Sequence, residues 1–155
     1  MNDRILFVDD EKNVLEGYKR LLRGDFNVET ALGGAQALAE LHIFGPCAIV
    51  ISDMRMPGMN GAEFLAQVRQ IAPNTVRMLL TGYKDANEAA QAVNQGRIFR
   101  YLNKPCRKSD LVLAINLGLE QYRVNVDDRQ AINQARNIRL HAATLNNMLL
   151  ARKPG

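Results

Sequence analysis

Five side chains able to do chemistry stand just after short apolar runs. Asp9 and Asp10 follow "ILFV" (5–8), and Asp53 follows "AIVI" (48–51) with only Ser52 between. Thr81, with Gly82 behind it, follows "VRMLL" (76–80), and Lys104 stands two residues after "IFRYL" (98–102). If those runs are neighbouring parallel strands, all five groups meet at one rim, because open parallel sheets bind ligands at the carboxyl ends of their strands. Three acids held together repel one another and call for a cation. Oxygen donors without His or Cys favour Mg2+, with Mn2+ or Ca2+ as the other hard cations, over zinc. Mg2+ held by few protein groups leaves positions open for phosphate oxygens. A carboxylate beside it is placed for in-line attack on phosphorus, giving an aspartyl phosphate. A lysine and a hydroxyl would then hold the remaining phosphoryl oxygens. Singly, each residue has an ordinary reading: a post-strand acid is often a helix cap, Thr-Gly a turn, Lys-Pro a loop. The joint pattern points to a phosphoryl site.

The elements that must position these groups can be read from the same sequence. Besides the four runs, "FNVET" (26–30) is a weaker extended segment, so five strands are predicted. "ILFV" and "AIVI" are apolar throughout rather than alternating, as in a parallel sheet covered on both faces. Between them, Val14, Leu15, Tyr18, Leu21 and Leu22 mark a helix over about 11–23, and Ala35, Leu38, Ala39 and Leu41 a second over about 34–44. Phe64, Leu65, Val68 and Ile71 mark a third that ends before Pro73. Ala86, Ala89, Ala90 and Val93 mark a fourth, capped by Asp85 and closed near Gly96, and Ser109-Asp110 start a fifth. Five strands alternating with five helices predict a doubly wound α/β domain with right-handed crossovers.

The chain has 155 residues, 47% of them hydrophobic, enough for one domain with a core and an appendage over 123–155. Net charge is +4, but residues 1–124 hold 15 Lys/Arg against 14 Asp/Glu, whereas 125–155 hold 5 against 2. The basic balance therefore lies in the tail (Arg129, Arg136, Arg139, Arg152, Lys153), and nucleic-acid binding is not indicated. Cys47 and Cys106 make neither a disulfide framework nor a zinc pattern. No run approaches membrane length and the N-terminus is no signal peptide, so a cytoplasmic setting is expected. His42 and His141 stand alone, without metal partners. In the tail, Ala131, Ala135, Ile138, Ala142, Leu145 and Leu149 are spaced 4, 3, 4, 3, 4, a heptad seam of mostly small residues. It reads either as a helical linker that dimerises or passes a signal, or as an amphipathic helix lying on its own domain.

"FVDDE" (7–11), "ISDMRMPGMNG" (51–61), "LLTGY" (79–83) and "YLNKP" (101–105) together resemble the receiver domain (CheY-like) of two-component response regulators, over residues 1–122. The resemblance implies a flavodoxin-like sheet in the order 2-1-3-4-5. It makes Asp53 the phospho-acceptor and Asp9, Asp10, Asp53 and the Arg55 carbonyl the Mg2+ set. Met54, Thr81, Gly82 and Lys104 become phosphate contacts, Thr81 and Tyr101 the switch pair, and Pro105 the site of a cis peptide bond that aims Lys104 inward. It implies a phosphohistidine on a sensor histidine kinase or phosphotransfer protein as donor. It also implies self-catalysed phosphorylation and dephosphorylation, and output through the fourth helix, fifth strand and fifth helix, with homodimerisation there or along the tail. Arg55 and Tyr83 depart from the commoner pattern and would flank the mouth of the site, where they bear on attack by water. "LTGYKDANEAAQAVNQGRIFRYLNKPC" further resembles receivers joined to HD-type cyclic-di-GMP phosphodiesterases.

Three other readings remain. A haloacid-dehalogenase-type phosphatase would need Asp-x-Asp after the first strand, where this chain has "VDDEK". A DNA-binding regulator would use the basic tail, although no helix-turn-helix is evident. A phosphorylation-independent dimerisation module would keep its function in Asp53→Asn. No Gly-rich loop ending in Gly-Lys-Ser/Thr is present, which argues against a P-loop NTPase.

Overall fold

The computed structural model describes residues 1–152. The elements in chain order are β1 (Arg4–Asp9), α1 (Lys12–Leu22), β2 (Asn27–Leu32), α2 (Gly33–Phe44), β3 (Ile49–Asp53), α3 (Gly61–Ile71), β4 (Val76–Thr81), α4 (Ala86–Asn94), β5 (Arg100–Asn103) and α5 (Lys108–Ala151). A single turn of 3-10 helix, Tyr83–Asp85, precedes α4. The strands form one parallel sheet in the order β2-β1-β3-β4-β5, the doubly wound arrangement expected.

Both faces of the central strands are covered, which explains their unbroken apolar sequence. Side chains alternate across a strand. Leu6, Val8, Val50 and Leu79 therefore join one cluster with Leu41 of α2, Phe64, Leu65 and Val68 of α3, and Ala89 and Ala92 of α4. Their neighbours Ile5, Phe7, Ile49, Ile51, Met78 and Leu80 are equally buried on the opposite face. There Phe7 stacks on Tyr18 of α1 with ring centroids 4.6 Å apart. Burying each such side chain stabilises the fold by about 1.5–3 kcal/mol. Gly118 lets α5 approach that face closely. A Cβ there would lie 2.7 Å from Met78 Cε and 2.8 Å from Ile49 Cδ1.

The chain forms two compact units, Met1–Tyr122 and the remainder from Arg123. α5 buries Leu111, Ala114, Ile115, Gly118 and Tyr122 within the first unit. In the second, every described residue from Asp127 onward is exposed, including Ile138 (69%), Leu145 (47%) and Leu149 (63%) of the heptad seam. Lys153, counted above with the basic tail, lies outside the described residues. Among the described residues no helix is long and apolar enough to cross a membrane.

Cys47 leads into β3, is 1% exposed, and its thiol is pushed up to about 11 by burial. Cys106 is only half-buried. In the folded protein a thiol reagent at mildly alkaline pH will label Cys106 and spare Cys47 until denaturant is added. Equal labelling of both cysteines, read by peptide mass, would show that the start of β3 is not packed as described.

Candidate functional site

The carboxyl ends of β1 and β3 and the segment after β5 deliver the charged groups. β1 ends on Asp9, 2% exposed, and β3 on Asp53, 7% exposed. Asp10 follows on the surface. One carboxylate oxygen from each of Asp9, Asp10 and Asp53 lies within 4.8 Å of the others. Lys104 reaches into this cluster, its Nζ 2.6 Å from Asp53 Oδ1 and 3.5 Å from Asp9 Oδ2. The Lys104–Pro105 peptide bond is cis, and the Lys104 amide donates to the Thr81 carbonyl (2.9 Å), which ties this segment to the end of β4. A cleft of about 610 Å3 opens over the cluster, with Gly82, Tyr83 and Lys84 on its wall.

Burial pushes the Asp9 carboxyl up, opposed by the Glu11 amide it accepts (2.9 Å) and reinforced by the charge of Asp53. For Lys104, burial works downward. The bond to Asp53 and the charges of Asp53 and Asp9 outweigh it, so the ammonium is held above its ordinary value. Three carboxylates facing one ammonium leave an excess of negative charge in a half-buried, oxygen-only setting. That donor chemistry fits a hard divalent cation.

The other candidate residues fall in different surroundings. Thr81 is fully buried and its hydroxyl donates to the Gly82 carbonyl (3.2 Å). Tyr101 is half-buried and packs against the core beneath α3 and α4, outside the acidic cleft. Met54 is tied down at both backbone groups. Its amide donates to the Leu80 carbonyl (3.0 Å), its carbonyl accepts the Gly61 amide (2.9 Å), and its side chain is 3% exposed. A phosphate contact from that amide would have to replace its bond to Leu80.

Arg55 and Asp85 form a pair that the sequence did not suggest. Asp85 takes the N-cap position of α4, as expected, but its side chain makes no capping hydrogen bond. Its two carboxylate oxygens accept from Arg55 Nε (2.9 Å) and Nη2 (2.7 Å) in a fork-to-fork pair. The Arg55 hydrogen bond, foremost, holds the Asp85 carboxyl below its usual range. This pair joins the loop after β3 to the turn before α4 across the cleft, so the Arg55 side chain lines the cleft with a fixed partner.

Sequence reasoning also missed the group that seats Asp53 from behind. A Cβ on Gly61 would overlap the Asp53 carbonyl oxygen and come within 2.8 Å of Leu79 Cδ2. Asn60 just before it caps α3 by accepting the Glu63 amide (2.8 Å). The available signal was an Asn-Gly pair ahead of a helical pattern, which reads as a turn as readily as a cap.

A doubly wound sheet with three acids and a lysine at the β1/β3 switch point defines a class of domain in which chemistry occurs at the strand ends. A family model, "Response regulator receiver domain", matches residues 5–116. The hydrogenase transcriptional regulatory protein HoxA of Cupriavidus necator is 34% identical over 116 residues, covering 75% of this chain and 24% of that protein. Among solved structures, adenylate cyclase from Rhodopirellula baltica is 44% identical with a TM-score of 0.82, covering 86% of this chain and 98% of the other. The signal receiver domain of an HD domain-containing protein from Pseudomonas fluorescens Pf-5 is 35% identical with a TM-score of 0.72, covering 81% and 93%. The chain thus spans about a quarter of the length of the curated relatives it matches. It belongs to the response regulator receiver domain family of two-component systems.

Replacing Gly61 by Ala will destabilise the protein by about 1–3 kcal/mol through overpacking against β3. Urea unfolding measures this, and an unchanged midpoint would show that Gly61 does not set the position of Asp53.

Proposed function

We propose that the chain takes a phosphoryl group from a sensor histidine kinase or phosphotransfer protein onto Asp53, in the cytoplasm, and relays the change through the α4–β5–α5 face and the tail. The observation that carries this reading is the Lys104 ammonium 2.6 Å from Asp53 inside a three-carboxylate cluster. An Asp53 carboxylate oxygen forms the new O–P bond as the N–P bond of a phosphohistidine breaks. The imidazole nitrogen keeps the electron pair and later takes a proton. Lys104 moves its contact from the carboxylate to a phosphoryl oxygen, balancing the added charge. Asp9, Asp10, Asp53 and the Arg55 carbonyl would hold Mg2+, or Mn2+ in its place. When bound, that ion supplies positive charge to the acids and to the transferring group. Attack by water on the acyl phosphate returns the carboxylate and ends the signal.

Thr81 carries the readout. Its hydroxyl exchanges the Gly82 carbonyl for a phosphoryl oxygen, and Tyr101 turns into the space beside it. Both flank α4 and β5, whose outer surface is then repacked. The tail supplies a second route for dimerisation, supported by its exposed heptad residues.

With Mg2+ and acetyl phosphate, intact mass will show one added phosphoryl group, absent with a chelator and absent in Asp53→Asn. A metal-independent adduct, or one that survives the substitution, sinks the reading. For the tail, sedimentation equilibrium will show a dimer that Ile138→Asp with Leu145→Asp dissociates. A parent chain that stays monomeric at all concentrations, phosphorylated or not, removes the dimer from the proposal.

A further inference from the structure

A second cleft, of about 450 Å3, lies between α3, β4 and α4. Its volume is within the range of about 300–1,000 Å3 typical of small-molecule sites. Three arginines line it: Arg69 from α3, Arg77 from β4 and Arg97 after α4. Ala62, Ala66 and Ile98 supply an apolar floor, and no carboxylate lines it. None of the three guanidiniums enters an ion pair among the described residues.

Arg77 is the unusual member. It is half-buried, and the protein acceptor facing its guanidinium is the Leu65 carbonyl, 3.1 Å from Nη1. Burial first, and then the charge of Arg69, pull its pKa down to about 10, with no acid opposing them. It is still a cation at neutral pH. A half-buried charge is normally paired, and here the charge that acts on it, that of Arg69, has the same sign. An arginine that only laid its stem on the sheet would point its head to water and would not need two more arginines on the same cleft.

We propose that this cleft binds a phosphorylated small molecule of about mononucleotide size, its phosphate held by Arg69, Arg77 and Arg97 and its apolar body resting on Ala62, Ala66 and Ile98. Guanidinium forks match phosphate oxygens in pairs. Three positive charges without a counter-ion favour a dianionic monoester over a single carboxylate. The apolar floor favours an organic phosphate over a bare ion. This site shares no residue with the Asp53 cluster and does not depend on its chemistry.

Calorimetric titration of the full chain carrying Asp53→Asn, in chelator, keeps anions out of the acidic cleft. The probes are adenosine 5′-monophosphate, naphthyl phosphate and inorganic phosphate. At least one ester is expected to saturate one site, about tenfold more tightly than inorganic phosphate, with a further loss of about tenfold in Arg77→Gln. Should Arg77→Gln fail to fold, the surface pair Arg69→Gln with Arg97→Gln must produce the same loss. No saturation by either ester, equal binding of inorganic phosphate, or affinity retained in the paired variant would each overturn the proposal.

Discussion

Three carboxylates within 4.8 Å of one another impose a constraint that the rest of the domain is arranged to meet. Like charges so close destabilise a fold unless a counter-charge is fixed among them. Lys104 is that charge, and it is supplied from the end of β5, beyond β4 and three places from β1 in the sheet. Its backbone is held by the hydrogen bond that the Lys104 amide donates to the Thr81 carbonyl. The parallel sheet is what makes the convergence possible. Only when β1, β3 and β4 end on the same side do Asp9, Asp53 and Thr81 share a rim.

The Arg55–Asp85 pair meets a related constraint in the two loops flanking that rim. Loops that carry charged groups toward a cleft are mobile unless tied. A bidentate pair between the β3–α3 loop and the turn before α4 restricts both at once. With Arg55 mostly solvent-exposed, the pair acts chiefly through geometry. It sets where the Arg55 backbone can lie, and that backbone is the part of the residue proposed to face a cation.

The strands and helices were legible because burial on both sheet faces leaves an unambiguous mark. A run such as "AIVI" flanked by polar residues has few other fates. The acids and Lys104 were legible because strand ends in a parallel sheet share a rim by topology alone. Met54, Asp85 and Gly61 were not legible, for three different reasons. The Met54 amide is claimed by the ladder to Leu80, which depends on register. Asp85 stands where a cap is expected but meets a partner thirty residues earlier in the chain. Gly61 is constrained by a backbone carbonyl and by Leu79, contacts that no local pattern encodes.

Strand β4 links the two clefts. Residues 77, 79 and 81 share a parity, so they stand on one face of the sheet. Arg77 lies at the basic cleft, Leu79 buried beneath it and Thr81 at the acidic rim, with about 13 Å between the first and the last. α4 packs across this face through Ala89 and Ala92, and Ala92 also lines the basic cleft. Any rearrangement of α4 that follows a change at Thr81 must therefore alter the walls around Arg77 and Arg97. A ligand seated among those walls would prefer one position of α4 over the other. Linkage makes that preference reciprocal: whichever state of Asp53 favours the ligand is favoured by it in turn. The small residues of α4 suit such a coupling, because alanines against a flat strand face can slide without opening large cavities.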